Sequence, residues 1–257
     1  VHVMKFGIST LSIIPLRSEP NDRSEMTSQI LFGEHYKIIE IQKKWSKIQI
    51  AHDKYIGWIS NNQVSEIQED EFERLEKEIP TLTTDILDII EGDFHQPIVI
   101  GSVLPFFKSD HTLIDNKMYK FTGNKTQGFS QKKQLINNAM IFLNAPYLWG
   151  GRTPFGIDCS GFTQLIYRLH GINLARDAYQ QYEKGKNITD IKEIEAGDLA
   201  FFENKLGKIV HVGIIMDNNQ IIHASGKVRI DKLDEKGIFN VNKEKYTHKL
   251  KSIKKII

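Results

Sequence analysis

Cysteine is nearly missing from this chain: there is one, Cys159, in 257 residues. An intramolecular disulfide needs two thiols and a cysteine-rich zinc site needs more, so both are excluded. No apolar run approaches the roughly 20 residues of a membrane-spanning helix. Charge of one sign is missing as well, because 34 lysines and arginines stand against 32 aspartates and glutamates. The resulting net charge of +2 gives no field that argues for nucleic acid or an anionic membrane as partner. Residues 1–7 lack the charged start, apolar stretch and small-residue cleavage site of a secretory signal. Met4 reads as a native start, which points to the cytoplasm; a chain relieved of its leader would read the same and be periplasmic or exported.

What is present is an ordinary globular balance, 40% apolar and 26% charged, with length for about two domains or three small ones. From Gly7 to about Glu66 short strands are broken by turn residues around Pro20 and Asn21. They are expected at 36–42, 45–51 and 55–60. In the second of these, Trp45, Ile48 and Ile50 are apolar while Lys47 and Gln49 alternate outward. A small β-barrel over 1–66 follows. Phe72, Leu75 and Ile79 sit at helical spacing, and Asp70 with Arg74 and Glu73 with Lys77 make i,i+4 pairs, so 67–80 reads as a helical connector stopped by Pro80. Residues 81–128 read as a second small β module. The last domain, 129–257, opens on a helix with a stripe of Leu135, Ile136, Ala139, Met140 and Leu143 and Ser130 as its N-cap. A second helix is expected from Cys159 to His170, then strands at 199–203, 210–216 and 220–225. Helix followed by antiparallel strands is α+β.

Cys159 falls in the first turn of its helix, directly after Asp158 as a cap. Unpaired amides and the helix dipole at that end favour a thiolate, the nucleophilic form. A lone cysteine is otherwise a small buried hydrophobe, and that reading stands beside the reactive one. His211 and His223 tilt the balance, because nucleophile, base and orienting group are the three parts a cysteine peptidase needs. Strand parity decides whether they meet. A two-residue turn at 218–219 would put them on opposite sheet faces; a three-residue turn, Asp217 to Asn219, pairs His223 with Gly213 and puts both on one face. The other histidines read as surface groups. Lys249, Lys251, Lys254 and Lys255 read as the wet side of an edge strand, and Trp149 is as easily core as site.

Five segments carry a resemblance in the right order: Pro146-Tyr147-Leu148-Trp149-Gly150-Gly151, Gly156-Ile157-Asp158-Cys159-Ser160-Gly161-Phe162, Ala196-Gly197-Asp198-Leu199-Ala200-Phe201-Phe202, His211-Val212-Gly213-Ile214 and Ile222-His223-Ala224. Together they resemble the NlpC family of papain-like bacterial cell-wall peptidases. Arg17-Ser18-Glu19-Pro20, Gly33-Glu34 and Tyr55-Ile56-Gly57-Trp58 resemble the bacterial SH3-like domain attached to dipeptidyl-peptidase VI enzymes. The resemblance implies Cys159 as nucleophile, His211 as base, His223 as its orienter and Tyr147 as a stabiliser of the oxyanion. It further implies Trp149, Asp158 and Ser160 in a dipeptide site, Tyr55 closing that site, and Glu25 or else Glu19 on the substrate amine. The activity implied is a γ-D-glutamyl-L-diamino acid endopeptidase acting on peptidoglycan-derived peptides (muropeptides) with a free N-terminal L-alanine. It needs no metal and no organic cofactor, and a monomer is expected. Arg176-Asp177-Ala178 departs from the pattern, since many relatives carry serine where Ala178 stands. Rival readings are a general cell-wall endopeptidase or amidase and an inert wall-binding protein.

Overall fold

The computed structural model describes residues 5–217 and 219–256. Met4 with the residues before it, and Asn218 in the expected turn, lie outside them. The chain forms two units, 1–129 and 130–257.

In the first unit β1 (Lys5–Ile8), β2 (Ile13–Arg17), β3 (Met26–Leu31), β4 (His35–Ile41), β5 (Trp45–Ile50), β6 (Ile56–Ser60) and β7 (Glu66–Ile67) form an antiparallel sheet in the order β3-β2-β6-β5-β4-β1-β7. The parity of β5 differs by one residue at its start. Ser46, Ile48 and Ile50 point inward, while Trp45 shares the outer face with Lys47 and Gln49. Ser46 is tolerated inside because its hydroxyl donates to Asn61 Oδ1 at 2.8 Å. The helix α1 (Glu69–Lys77) buries Phe72 and Leu75. Ile79 does not join them; the helix ends at Glu78 and leaves it exposed.

A second β module follows, with β8 (Thr81–Thr83), β9 (Leu87–Glu91), β10 (His95–Val99), β11 (His111–Ile114), β12 (Lys117–Lys120) and β13 (Lys125–Gln127). Four of these strands pair in the order β10-β9-β12-β11, and β13 pairs β8. One core joins the pieces that the sequence divides at 66 and 80: Phe6, Ile8 and Phe32 of the barrel pack with Phe72 and Leu75 of α1 and with Ile90, Ile98, Leu104 and Phe121. At the junction Val103 N–H donates to Phe32 O at 2.8 Å. Gly33 next to it has φ +76°, and a Cβ there would lie 2.1 Å from Val103 O. Only glycine permits that approach.

The second unit opens on α2 (Lys132–Ile141), whose cap is Gln131 rather than Ser130. The Ser130 hydroxyl is instead 2.6 Å from His170 Nδ1. Its buried stripe is Leu135, Asn138, Ala139 and Phe142, with Met140 and Leu143 at the surface. A short ribbon of β14 (Arg152–Thr153) and β15 (Gly156–Ile157) leads into α3 (Cys159–Leu169), every residue of which is buried. After α4 (Ala178–Tyr182) come β16 (Lys186–Ile188), β17 (Leu199–Glu203), β18 (Ile209–Met216), β19 (Gln220–Ser225), β20 (Lys227–Asp234), β21 (Gly237–Asn240) and β22 (Lys245–Lys255). The sheet runs β16-β22-β17-β18-β19-β20-β21, and β21 pairs back onto β22, so six of the strands close into a barrel.

That closure overturns the edge-strand reading of the C-terminal lysines, because β22 is bonded to neighbours on both sides. Its lysines are engaged. Lys249 and Lys251 reach Glu203, Lys255 reaches Glu195, and the buried Lys254 sets its ammonium 4.3 Å from the Tyr182 ring centre. Among the described residues no helix is long and apolar enough to cross a membrane.

Candidate active site

Cys159 opens α3 because Asp158 caps that helix: its Oδ1 accepts from Gly161 N at 2.7 Å. The same carboxylate accepts from Gly150 N at 2.8 Å and from Arg176 in a two-pronged pair at 3.0 and 2.6 Å. Arg176 also donates to Ser160 Oγ at 3.0 Å. The loop carrying Trp149, the helix start and the segment before α4 are thereby tied at one buried point. Sequence reasoning gave Asp158 the cap and missed Arg176, which stands in the Arg-Asp-Ala stretch examined only for its missing serine. Gln181, fully buried on α4, braces the same turn by donating to Ser160 O at 2.9 Å.

The strands β18 and β19 pair in the register that brings both histidines to one face. Met216 pairs Gln220 and Ile214 pairs Ile222, a register that carries His223 opposite Gly213. His211 and His223 are therefore on one face, and His211 Nε2 and His223 Nδ1 share a hydrogen bond of 2.8 Å. The chain of polar groups continues where sequence reasoning stopped. His223 Nε2 bonds Asp231 Oδ2 at 3.0 Å, and Arg229 clamps Asp231 at 2.7 and 2.9 Å. Both come from β20, a strand absent from the sequence reading; the alternation Arg229, Ile230, Asp231 was its available signal.

His248, read as a surface group, is another correction. Its ring stacks on His211, with centres 4.1 Å apart and planes 25° from parallel, and Phe202 lies against both. His170 is likewise buried rather than exposed. Trp149 is 60% exposed, which removes it from the core.

Electrostatics follows from this packing. Burial, with help from the Asp158 charge, pushes the Cys159 thiol up to about 12, while the Val212 amide, Arg176 and the Ser160 amide pull the other way. The helix α3, which Cys159 opens, packs on β18, the strand that carries His211 and Val212. His211 is held well below 6.5 by burial, then by His223 and His248. His223 is lowered mainly by burial, with Asp231 opposing. Tyr147, half-buried, is pushed up to about 12 by burial and by the charges of Cys159 and Asp158, which keeps its phenol a donor next to the sulfur. Tyr55 and Glu25 belong to the first unit: Tyr55 is half-buried against the barrel core, and Glu25 is exposed after the turn that follows β2. Among the described residues no group of His, Cys, Asp and Glu is arranged to hold a metal ion.

A thiol at the start of a buried helix, set beside a histidine pair on an antiparallel barrel, is the arrangement of a papain-like cysteine peptidase. Residues 144–247 match the NlpC/P60 family, and residues 16–64 match the bacterial dipeptidyl-peptidase SH3 domain. The second unit thus carries an NlpC/P60 domain, that of a family of cysteine peptidases, and a bacterial dipeptidyl-peptidase SH3 domain precedes it in the chain. A γ-D-glutamyl-L-lysine dipeptidyl-peptidase of Bacillus cereus is 28% identical to it over 78% of this chain and 68% of that protein. Dipeptidyl-peptidase 6 of Lysinibacillus sphaericus is 27% identical over 86% of this chain and 89% of its own length. A solved NlpC/P60 family protein from Bacillus cereus shares the fold, with a TM-score of 0.83 at 21% identity over 98% of this chain and 99% of that one.

Proposed function

We propose that the chain hydrolyses the amide between γ-D-glutamate and a diamino acid in peptidoglycan-derived peptides with a free N-terminal L-alanine, releasing L-Ala-γ-D-Glu. The observation that carries this reading is the 2.8 Å bond between His211 and His223 on the sheet against which the helix opened by Cys159 packs, in a chain similar to two enzymes named as dipeptidyl-peptidases. His211, neutral, takes the thiol proton as the sulfur attacks the carbonyl carbon. The Tyr147 phenol donates to the oxyanion that forms. As the C–N bond breaks, His211 returns its proton to the leaving amine, and a water activated by the same ring cleaves the thioester and restores the thiol.

In this reading Trp149, Asp158 and Ser160 line the dipeptide site, while Tyr55 and Glu25, or Glu19 in its place, read the alanine amine. A requirement for a free amine suits a processor of released wall fragments, monomeric and cytoplasmic. An acylated amine loses its ammonium and with it the charge-assisted contacts to these carboxylates, a penalty of roughly 2 to 5 kcal/mol. That corresponds to a preference of about 30-fold to several thousand-fold. The test compares kcat/KM for one tetrapeptide with its alanine free or acetylated, in the full chain and in Tyr55→Ala. Strong preference in the full chain, weakened in the variant, is expected. Equal cleavage of both forms by the full chain would replace this reading with a general wall endopeptidase.

A further inference from the structure

We infer that Asp231 is a positioning residue that fixes which ring nitrogen of His211 is free to accept the thiol proton, and that Arg229 holds Asp231 in place for that purpose. The inference rests on the cysteine peptidase reading of the site. It follows the hydrogens along one chain of contacts. A carboxylate accepts and does not donate, so across the 3.0 Å contact the proton must sit on His223 Nε2. A neutral imidazole then presents Nδ1 as a bare acceptor, and the 2.8 Å contact must be filled by a proton on His211 Nε2. His211 Nδ1 is left with its lone pair. Without Asp231 the pair could be wired in reverse, with the proton on His223 Nδ1 donated to a bare His211 Nε2. His211 would then carry its own proton on Nδ1 and could not act as a base there.

Two features argue that the contact is built for direction. Asp231 is 2% exposed and His223 1%, so water does not offer a competing partner. Arg229 occupies both carboxylate oxygens, at 2.7 Å to Oδ2 and 2.9 Å to Oδ1, which cancels most of the charge and leaves the orientation. The titratable and charged groups against the histidine pair are Asp231 and Arg229 from β20 and His248 from β22, and α3, which opens on Cys159, packs on β18 and β19.

The test is nitrogen NMR of the histidine rings in the resting full-length protein, together with steady-state kinetics. Both His211 and His223 are expected as Nε2–H tautomers. In Asp231→Ala the tautomers should become mixed or reversed, and kcat should fall by between about 10² and 10⁴-fold with KM little changed. In Arg229→Gln the unbalanced carboxylate favours the protonated pair, so the acid limb of kcat/KM should move to higher pH. An Nδ1–H tautomer at His211 in the unmodified protein overturns the inference, even if Asp231→Ala fails to fold. Unchanged tautomers and kcat in Asp231→Ala, or an acid limb that stays or moves down in Arg229→Gln, do so too. The tautomers are read without turnover, so a protein that cleaves no wall peptide would sink the substrate reading and leave this test standing.

Discussion

Burial outweighs the pull of the helix start at Cys159. Burial pushes the Cys159 thiol up to about 12 and holds the His211 imidazole well below 6.5, and both shifts favour a neutral thiol and a neutral ring over a standing thiolate. The sequence reading places a thiolate at the helix start, and the burial that leaves Cys159 6% exposed acts against it. Iodoacetamide should therefore label the resting enzyme slowly at pH 7 and faster as pH rises, which mass spectrometry can follow. Cys159→Ala should lose all hydrolysis with its circular dichroism unchanged, and an active variant would exclude the mechanism. For the base the sign runs the other way: an imidazole with a lowered pKa stays neutral to lower pH, so the acid limb of kcat/KM should lie below 6.5.

His248 offers a separate check, because burial and then His223 lower it to about 4. Between 6.5 and about 4 the unfolded chain binds its proton and the folded chain does not, so this group's contribution is present above pH 6.5 and is lost as pH falls toward 4. His248→Phe keeps a ring on His211 and removes the titration, so its Tm should fall less steeply with acidification and its kcat should survive better than that of His248→Ala.

At the scale of elements, the site depends on a strand register. Gly213 lies across from His223, and a Cβ on it would come within 2.9 Å of His223 Cβ and 2.7 Å of Ile221 Cδ1. The isoleucine tip can swing aside; the histidine Cβ cannot without taking the ring along. Gly213→Ala should thus cost about 1 to 3 kcal/mol by overpacking, and a larger share of kcat than of KM. Denaturant melts and kinetics on the same sample would show it. The Asp158–Arg176 pair sets the other half of the site. Arg176→Ala leaves a buried carboxylate uncompensated at the helix start, which should cost about 3 to 5 kcal/mol.

These elements also show what was readable beforehand. The cap at Asp158, the helix behind it and the two histidine strands are local patterns of spacing and turn length, and a sequence displays them. Arg176, Asp231 and His248 reach the site through β20, β22 and a loop, by pairings between distant segments. A histidine among lysines and threonine, as His248 is, looks solvated until the barrel closes around it.

On the scale of the whole chain, the sequence places boundaries at 66 and 80 where turn residues and a change of period occur, yet apolar residues on both sides of them fill one core. Periodicity reports which face of an element is buried and is silent on what it is buried against. Ile98→Ala, in the second module, should destabilise the first unit by about 2 to 5 kcal/mol. Hydrogen exchange should quicken in β1 and β7 along with β10, and protection unchanged in the SH3-like strands would show that the modules fold apart.

The ring formed when β21 returns to β22 has a consequence for the working life of the enzyme. A strand at the rim of an open sheet can fray by giving up one ladder, but each of the six strands in the ring would have to give up two. The histidines ride on such strands, so partial opening that disables them without melting the catalytic unit is disfavoured. Loss of activity on heating and loss of ordered structure should then proceed with one rate constant, and ageing preparations should contain fully active and fully dead molecules rather than a graded population.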